Sequence, residues 1–390
     1  MTTQAARKNL EYFTIRIANQ DQQIQHAKAG YDHWKKDSTF EQYWDLYLKE
    51  RSEGPWGTNN KLLTWVLVRN GDPGGEIYAG CETYLRKGFI KREGSQSVEN
   101  TYLYGIASVV TPKQHLRNGY ATRLLSLLHH QLSSIPSPYS STLPNCIPSD
   151  VPLSKAIGSI LWSDVGSTFY SKCTSSPERK GWVVRDSQVT ELVWKILPSN
   201  SEKLEDGWEW IYPNDLTSIS TKLSQAVKED LAKRDTTSRS LFVHDPSSEG
   251  TISFVPTKGT WQRPLIIDPE PVGIKYTPAD GNETIVLFSL RTINIGDRLL
   301  ITYIHNLLPD QLPALLNALD ILGNKAGQKE GWIWDMSNSS DLIEAWEGLR
   351  NRKARYGRRQ EIDGHLLGVA WYGDREDEGE LLEGQMWTWC

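Results

Sequence analysis

The sequence has few cysteines and no long apolar run. Its four cysteines, Cys81, Cys146, Cys173 and Cys390, lie far apart in 390 residues and form no paired spacing of a metal or redox motif. We therefore expect free thiols and no bound metal. No stretch approaches the roughly 20 apolar residues that a membrane span needs, and the first residues contain no apolar segment typical of a signal peptide. The sequence predicts a cytoplasmic protein that does not bind a membrane.

The sequence also lacks a broad basic region. Its formal net charge is -5 and charges of both signs are mixed along the chain, which does not favour binding to nucleic acid. The local basic run RNRKARYGRR, residues 350–359, is predicted to form a solvated face or loop. Tryptophan is abundant, with sixteen residues. We expect most of them in the core or in pocket walls, because their rings bury a large apolar area.

The first half of the chain alternates between patterns typical of strands and of helices. Two helices are expected between Gln20 and Arg51, and another ends at about Leu132, because leucines recur there at three- and four-residue intervals. His129 and His130 on that helix lack the partners of a metal set and are expected on the surface. The strand-like segments are EYFTIRIAN, KLLTWVLVRN, EIYAGCETYLRKGFI, NTYLYGIASVVT, SILWS, GWVVRDS and TELVWKIL.

The second half begins after the polar segment LPSNSEKLEDG, which predicts a boundary between a domain at 1–198 and a domain at 199–390. Two of its segments are helix-like, TSISTKLSQAVKEDLAKRD and DQLPALLNALDILGNKAG. Five are strand-like: GTISFVPTKG, ETIVLFSLRT, DRLLITYIHN, HLLGVAWYGD and EGQMWTWC. The predicted fold class is therefore α/β of the α+β kind in both halves.

One strand, loop and helix stand out in the segment VVTPKQHLRNGYATRLLSLL, residues 109–128. Gly119 and Ala121 stand at the mouth of the apolar helix, directly behind a strand-like run. Backbone N–H groups at a helix start can hold an anion, and small residues let that anion approach the main chain. This pattern fits a phosphate cradle, and the alternative is an ordinary strand-to-helix turn.

The segments LRNGYA and TFYSKCTSSPERKGW together resemble the GNAT superfamily of acetyl-CoA-dependent N-acetyltransferases. The first matches its Gln/Arg-x-x-Gly-x-Gly/Ala loop, with Leu116 where the family has Gln or Arg. The resemblance implies a GNAT fold with a mixed, mostly antiparallel sheet, and acetyl-CoA as cosubstrate. It also implies that backbone groups hold the pantetheine arm at Val109, Val110 and Thr111, and the pyrophosphate at Arg117, Asn118, Gly119, Tyr120, Ala121 and Thr122.

The resemblance further implies a general acid, because the family places a tyrosine in a run like Phe-Tyr-x-x-x-Gly-Phe. Tyr170 occupies that position, and a phenol can protonate the departing coenzyme A thiolate. STFYSKC should then begin a helix, with Ser167 or Asp164 as its N-cap. The proton acceptor stays open between Glu82, Asp164, a water chain and the terminal carboxylate of Cys390. The structural alternatives are a solvent-facing strand position for Glu82 and the helix cap for Asp164.

The C-terminal extension of nearly two hundred residues makes the chain similar to fungal lysine acetyltransferases that act on free L-lysine. This similarity implies a second GNAT-like fold without the phosphate loop, which helps to form the substrate site. A polyamine, an amine of secondary metabolism and a non-catalytic acetyl-CoA-binding or partner-binding module are the alternatives. Asp335 and the tract DREDEGE are candidates to attract a cationic amine, and Arg263 is a candidate anchor for a substrate carboxylate.

Overall fold

The structure is a computed structural model, and it describes residues 10–35, 37–134, 148, 151, 153–176, 178–199, 201–263, 265–278, 281–290, 298–336, 339–373 and 379–389. Within these ranges the chain forms seven α-helices and sixteen strands. The helices are α1 (Gln20–Trp34), α2 (Phe40–Ser52), α3 (Tyr120–Leu132), α4 (Leu216–Lys233), α5 (Phe254–Gln262), α6 (Leu312–Lys325) and α7 (Ser340–Gly348). The strands are β1 (Phe13–Ile17), β2 (Leu62–Arg69), β3 (Ala79–Lys91), β4 (Glu99–Val110), β5 (Gly158–Ser163), β6 (Val183–Val184), β7 (Thr190–Lys195), β8 (Trp208–Ile211), β9 (Leu241–His244), β10 (Gly273–Tyr276), β11 (Thr284–Ser289), β12 (Arg298–His305), β13 (Glu330–Trp334), β14 (Arg355–Arg358), β15 (Leu366–Trp371) and β16 (Glu380–Leu381).

The first sheet has nine strands among the described residues. Its main order is β1-β2-β3-β4-β5-β15-β6, with β9 paired to β3 and β16 paired to β9. Neighbouring strands are antiparallel except for β4 with β5 and β9 with β16. Helix α3 connects β4 to β5 and buries Leu124, Leu125 and Leu128 against one face of this sheet. The mixed, mostly antiparallel sheet that the resemblance implies is therefore confirmed.

The second sheet repeats the order of the first. Its seven described strands run β14-β7-β13-β12-β11-β10-β8. From β8 to β12 each neighbour is antiparallel, and β12 and β13 are parallel with α6 between them. The first sheet has the same arrangement from β1 to β5, with α3 between the parallel pair. The segment 306–311 before α6 contains no glycine, which agrees with a second GNAT-like unit that lacks the phosphate loop.

Four described strands lie in the sheet of the other half of the chain. Strands β9 and β16 of the second half extend the first sheet beside β3, and β7 and β15 each insert between two other strands. Strand β7 comes from the first half of the chain and lies between β13 and β14 in the second sheet. Strand β15 comes from the second half and lies between β5 and β6 in the first sheet. Each half therefore supplies a strand to the sheet of the other. The division at residue 198 stays a prediction, and this exchange connects the two sides of it.

Tryptophan rings fill much of the space between the sheets, as the composition predicts. Trp162 on β5 lies 5.1 Å from Trp334 on β13 between ring centroids, and Trp334 lies 5.2 Å from Trp332. Trp389 near the C-terminus belongs to the same buried cluster. Arg86 on β3 holds that tail by donating hydrogen bonds to the carbonyl oxygens of residues 388 and 389. The packing of this tail thus links the end of the chain to the first sheet.

Most of the predicted elements are confirmed, and three are wrong. STFYSKC forms only a 3-10 turn at Tyr170–Lys172. The backbone N–H of Gly181 donates to the Ser171 carbonyl oxygen and that of Trp182 to the Tyr170 carbonyl oxygen, so these carbonyls are not used in an α-helix. GTISFVPTKG is not a strand, since α5 begins at Phe254, where a proline in the first turn needs no N–H partner. EGQMWTWC contains the 3-10 turn Met386–Thr388 rather than a strand.

Candidate functional site

Strands β4 and β5 separate near their C-terminal ends, and a bulge in β4 marks the place. The last parallel pair is Ile106 with Leu161. The register between β3 and β4 shifts just beyond it, and Ser108 has a positive φ of 51°. A bulge with one residue in the left-handed region bends its strand and increases the local twist. The backbone of Val109–Thr111 therefore has no β5 partner on that side among the described residues.

The loop between β4 and α3 presents the second part of the predicted cradle. Gly119 is the N-cap of α3 with a φ of 79°, which glycine adopts without steric cost. No side chain caps this helix end and its first turn holds no acidic residue. Arg117, Asn118 and Gly119 are exposed, and residues 120–122 are half-buried. The helix start thus offers N–H groups and a positive dipole end to an anion.

A buried polar cluster supports the bulge, and sequence analysis missed most of it. Glu82 on β3 pairs with Arg51 of α2 through a short ion pair. The Ser108 hydroxyl donates to the other Glu82 oxygen at 2.6 Å. His26 of α1 donates its Nε2–H to the Ser108 carbonyl oxygen at 3.0 Å, and burial lowers the pKa of His26. Helix α1 and strand β3 therefore contact Ser108 of β4 directly, and α2 is linked to it through Glu82.

Glu82 is not the solvent-facing residue that its place in a strand suggests, since only 5% of it is exposed. Burial alone would raise the pKa of Glu82, but the Arg51 guanidinium and His26 lower it, as do hydrogen bonds from Ser108 and Arg51. The net pKa falls to about 2. A carboxylate with so low a pKa is a weak base at neutral pH. The contacts of Glu82 are therefore those of a structural anion that holds the bulge.

Tyr170 lies just beyond the end of β5, as its sequence position requires. Its ring packs on Phe169 and Trp182, with centroid distances of 4.9 Å and 6.4 Å. Burial is the main cause that raises the pKa of Tyr170 above its ordinary value, so the phenol is protonated at neutral pH. Among the described residues its hydroxyl has no hydrogen-bond partner. This arrangement leaves a protonated phenol in the segment that follows β5.

Asp164 follows β5 directly and does not cap a helix. Its Oδ1 lies 2.7 Å from Nδ1 of His365 and accepts the His365 backbone N–H at 3.3 Å. Ser167, the other predicted cap, donates from its backbone N–H and its hydroxyl to Glu361. The expected cap is wrong because the segment forms no α-helix and both side chains hold the loop before β15 instead.

A cavity of about 760 Å³ opens beside Asp164, between the crossing strands. Asp164 is among the described residues that line it and Glu82 is not. The wall combines three arginines with acidic, histidine and aromatic residues from both halves of the chain. These include His33, Trp34, Glu191, Arg298, Trp332, Arg355, Gly357, Arg359, Asp363 and His365. Such a mixed wall suits a small ligand that carries charge of both signs.

Other sequence predictions need correction. His129 and His130 are buried rather than on the surface: His129 contacts the Tyr372 hydroxyl and the Cys173 carbonyl, and burial lowers its pKa to about 4. Arg263 is exposed at the end of α5 and is not among the described residues that line the cavity. Asp335 is buried and accepts the backbone N–H of residue 384 at 2.9 Å.

Several predicted features fall outside what the structure describes. Cys390, Cys146 and residues 374–378 of the acidic tract lie outside the described residues, whereas Cys81 and Cys173 are buried free thiols. Within the described ranges no three His, Cys, Asp or Glu residues form a group that could hold a metal ion. No described helix is long and apolar enough to cross a lipid bilayer.

The functional residues that sequence analysis missed are buried by contacts with elements that are distant in the sequence. Arg51 is an ordinary basic residue near the end of a helix until α2 packs over β3. Arg359 belongs to the basic run that was expected to be solvated, yet only 2% of it is exposed. The sequence signal for the burial of Arg359 is the alternation of side chains along β14, because successive side chains of a strand face opposite sides.

The buried ion pair predicts an acid-sensitive stability. Glu82→Gln should lower the free energy of unfolding at pH 7 by about 3–5 kcal/mol, because it leaves the Arg51 cation buried without its counter-ion. The folded-state pKa of Glu82 is depressed from 4.5 to about 2. Its contribution is therefore present above about pH 4.5 and is lost as the pH falls toward 2. Urea unfolding at several pH values should show the difference between wild type and variant shrinking over that range.

The matched control is Glu53→Gln, which removes a carboxylate from the exposed pair with Lys49. This variant should change the free energy of unfolding by less than about 1 kcal/mol at every pH. Equal unfolding curves for wild type and Glu82→Gln at pH 7 would show that the ion pair does not stabilise the bulge.

Comparison with known proteins finds sequence similarity to a curated acetyltransferase. Over 134 residues the chain is 31% identical to a lysine acetyltransferase of Yarrowia lipolytica, an alignment that covers 32% of this chain and 29% of that protein. The chain thus spans less than a third of the length of the curated relative it matches. No family model matches the chain.

Two solved structures align with most of this chain at low identity. A probable N-acyltransferase from Enterococcus faecalis aligns with a TM-score of 0.49 and 8% identity over 92% of this chain and 73% of that chain. A GCN5-related N-acetyltransferase from Kribbella flavida aligns with a TM-score of 0.47 and 10% identity over 92% and 70% of the two chains. The curated yeast relative confirms the resemblance that the motifs indicate: this chain resembles GNAT N-acetyltransferases.

Proposed function

We propose that this protein is an N-acetyltransferase that moves an acetyl group directly from acetyl-CoA to a primary amine of a small molecule. The observation that supports it most is the bulge at Ser108, which turns the end of β4 away from β5 beside an uncapped helix start. The yeast relative is named a lysine acetyltransferase. Free L-lysine or a related amino acid is therefore the proposed substrate, with a polyamine or a secondary-metabolite amine as the alternatives.

Two backbone segments are proposed to hold acetyl-CoA. The strand end Val109–Thr111, which has no β5 partner among the described residues, would pair with the amide groups of the pantetheine arm. The loop and helix start Arg117–Thr122 would hold the pyrophosphate through main-chain N–H groups, so Leu116 in place of a polar residue is no obstacle. Leu116 is half exposed and makes room for such an approach. The residues present therefore fit this cosubstrate.

The proposed reaction is a direct transfer. The neutral amine nitrogen attacks the thioester carbonyl carbon, a C–N bond forms, the C–S bond breaks, and the thiolate takes a proton. Tyr170 is the proposed donor of that proton, since its phenol is protonated at neutral pH. Asp164, a water chain or the terminal carboxylate of Cys390 would accept the amine proton. Glu82 is the weakest candidate, because its ion pair with Arg51 lowers its pKa to about 2.

The C-terminal half is proposed to form the acceptor side of the site. Strand β15 lies next to β5, and the loop before it carries His365, which is paired with Asp164. The cavity beside them has walls from both halves. A cavity with walls from both halves suits a small amine better than a lysine on a protein surface. The proposal includes no nucleic-acid partner, and the cytoplasmic location stays a prediction from the sequence.

Mixing the protein with acetyl-CoA and a panel of amines tests the proposal. Free coenzyme A should appear with L-lysine at a rate that depends on the amine concentration, and the product should gain one acetyl group by mass spectrometry. The panel also contains cadaverine, spermidine and Nα-acetyl-lysine. Binding of acetyl-CoA without coenzyme A release on any amine would favour a non-catalytic module instead.

The phosphate cradle predicts a charge-specific effect at Gly119. Asparagine and aspartate have nearly the same size and both accept a left-handed backbone, so Gly119→Asn is the control for Gly119→Asp. The added negative charge at the helix start should weaken acetyl-CoA binding about tenfold or more relative to asparagine. Isothermal titration calorimetry measures both affinities. Equal affinity of the two variants would place the pyrophosphate elsewhere.

The proton-donor role of Tyr170 predicts a loss of turnover without a loss of binding. Tyr170→Phe removes the hydroxyl and keeps the ring that packs on Trp182. Turnover should fall about ten- to a thousandfold, while acetyl-CoA affinity changes less than about threefold. Tyr276→Phe is the control, because it removes a phenol from the second sheet at a residue that does not line the cavity among the described residues. Wild-type turnover in Tyr170→Phe would exclude the role.

A further inference from the structure

The cavity holds a buried cation that the proposed chemistry does not use. Arg359 lines it, yet only 2% of this residue is exposed. Its guanidinium lies 4.3 Å from the ring centroid of Trp334 and 5.4 Å from that of Trp162. Burial lowers the pKa of Arg359 to about 9, so the group remains cationic at neutral pH. A charge in such surroundings needs a partner.

The carboxylates of Asp335 and Glu191 stabilise the charge of this cation through space, but the hydrogen bonds to its guanidinium are few. Among the described residues, Nε and Nη1 of Arg359 have no hydrogen-bond partner. Nη2 reaches the Gln188 carbonyl oxygen only at 3.5 Å, the long end of hydrogen bonding. Aromatic faces stabilise a guanidinium, but they do not accept hydrogen bonds from the N–H groups that point outward in the plane of the guanidinium. An anion from outside the protein would satisfy those donors.

The other charged groups in the wall already have partners or face the solvent. Arg298 and Arg355 lie 3.1 Å and 3.9 Å from Glu330. Asp164 is paired with His365. Asp363 is exposed. Arg359 is thus the cation of the described wall that is poised to bind an anion.

A carboxylate lies on the same face as Arg359. Glu191 on β7 is opposite Gly357 on β14, and the Arg359 N–H donates to the Val189 carbonyl oxygen two residues along. Because strand side chains alternate, Glu191 and Arg359 face the same side. Glu191 is half-buried, and one of its oxygens accepts the Trp332 indole N–H at 2.6 Å. Its other oxygen has no hydrogen-bond or ion-pair partner among the described residues.

Gly357 leaves open space between these two charges. A Cβ atom added at this residue would meet no heavy atom within 4 Å, and the residue lines the cavity. A cation site and an anion site on one strand pair, with room between them, match the two charges on the α-carbon of an amino acid. A polyphosphate would meet the Glu191 carboxylate and is disfavoured by repulsion.

We propose that this cavity binds the α-amino acid head group of the acceptor, with the carboxylate on Arg359 and the α-ammonium on Glu191. The role of this head group as part of an acetyl acceptor rests on the function proposed above. The tryptophans of the wall would then contact the aliphatic side chain. A diamine lacks the carboxylate and would leave Arg359 without an anion, which selects an amino acid over a polyamine.

Direct binding of L-norleucine tests the head-group site independently of acetyl transfer. This probe has the α-ammonium, the α-carboxylate and an aliphatic chain, but no side-chain amine to acetylate. It should bind the wild-type protein in calorimetry, and Arg359→Gln should weaken it at least about tenfold. Glu191→Gln keeps an acceptor for Trp332 and should weaken L-norleucine, but not hexanoate, which lacks the ammonium group.

Two further variants keep the test decisive if Arg359→Gln does not fold. Gly357→Val fills the space between the two charged groups and leaves both charged residues in the sequence. It should also abolish L-norleucine binding. Arg358→Gln is the matched control, because Arg358 pairs with Asp186 and Glu361 and does not line the cavity among the described residues. It should bind L-norleucine as the wild type does.

The outcomes separate this site from the proposed reaction. L-Norleucine binding that is absent from wild type, or equal in wild type, Arg359→Gln and Gly357→Val, overturns the head-group site. If cadaverine is then acetylated as fast as L-lysine, acetyl transfer stands without this site. If L-norleucine binds as expected and no amine releases coenzyme A, the head-group site stands and the proposed acetyl transfer fails.

Discussion

The exchange of strands β7 and β15 between the two sheets is the constraint on which the rest of the structure depends. Strand β5 has only four parallel pairs with β4, but all six of its residues pair with β15. The strand is therefore held mainly from the side of the C-terminal half. Because β15 supplies this edge, β4 can turn away after Ile106 without leaving β5 unpaired. The gap between β4 and β5 depends on a strand from the far end of the chain.

The bulge at Ser108 is stabilised by buried charge rather than by apolar packing. A buried ion pair is costly to form, and it is maintained only where hydrogen bonds satisfy the remaining atoms. Here Arg51 also donates to the Tyr47 carbonyl and the Thr64 hydroxyl, both at 2.8 Å. An apolar contact would allow β4 to slide, whereas directional bonds to Ser108 fix which residue bulges. The cluster thus specifies the geometry of the strand end.

Local sequence patterns predicted the local structure well. The bounds of α3 and the strands before it follow from leucine spacing and from Pro112 and Gly119, which act within a few residues of their own position. Segments such as GTISFVPTKG were mistaken for strands because their composition is strand-like, while the helix depends on packing against β11 and the tryptophan cluster. Short-range signals also predict Tyr170 after β5, but the helix that they predict there is only a 3-10 turn.

The side-chain environments of the site were not predictable in the same way. Glu82 lies in β3 and Arg359 directly follows β14, and the sequence of each segment allows either face to be buried. Glu82 is buried because α2 packs over β3, and the environment of Arg359 depends on the pairing of β7 with β14. The basic run 350–359 shows the difference within a few residues, since Arg358 pairs with surface carboxylates while Arg359 is buried between indole rings.

The position of the cavity follows from the same exchange. Glu191 stands at the start of β7 and His365 just before β15, so the two segments that cross between the sheets both reach the cavity wall. Any change in how the halves pack would move Arg359 and Glu191 relative to Asp164 and β5. The buried guanidinium of Arg359 lies between Trp162 of the first sheet and Trp334 of the second. The proposed anion-binding group and the packing of the two sheets therefore share the same residues.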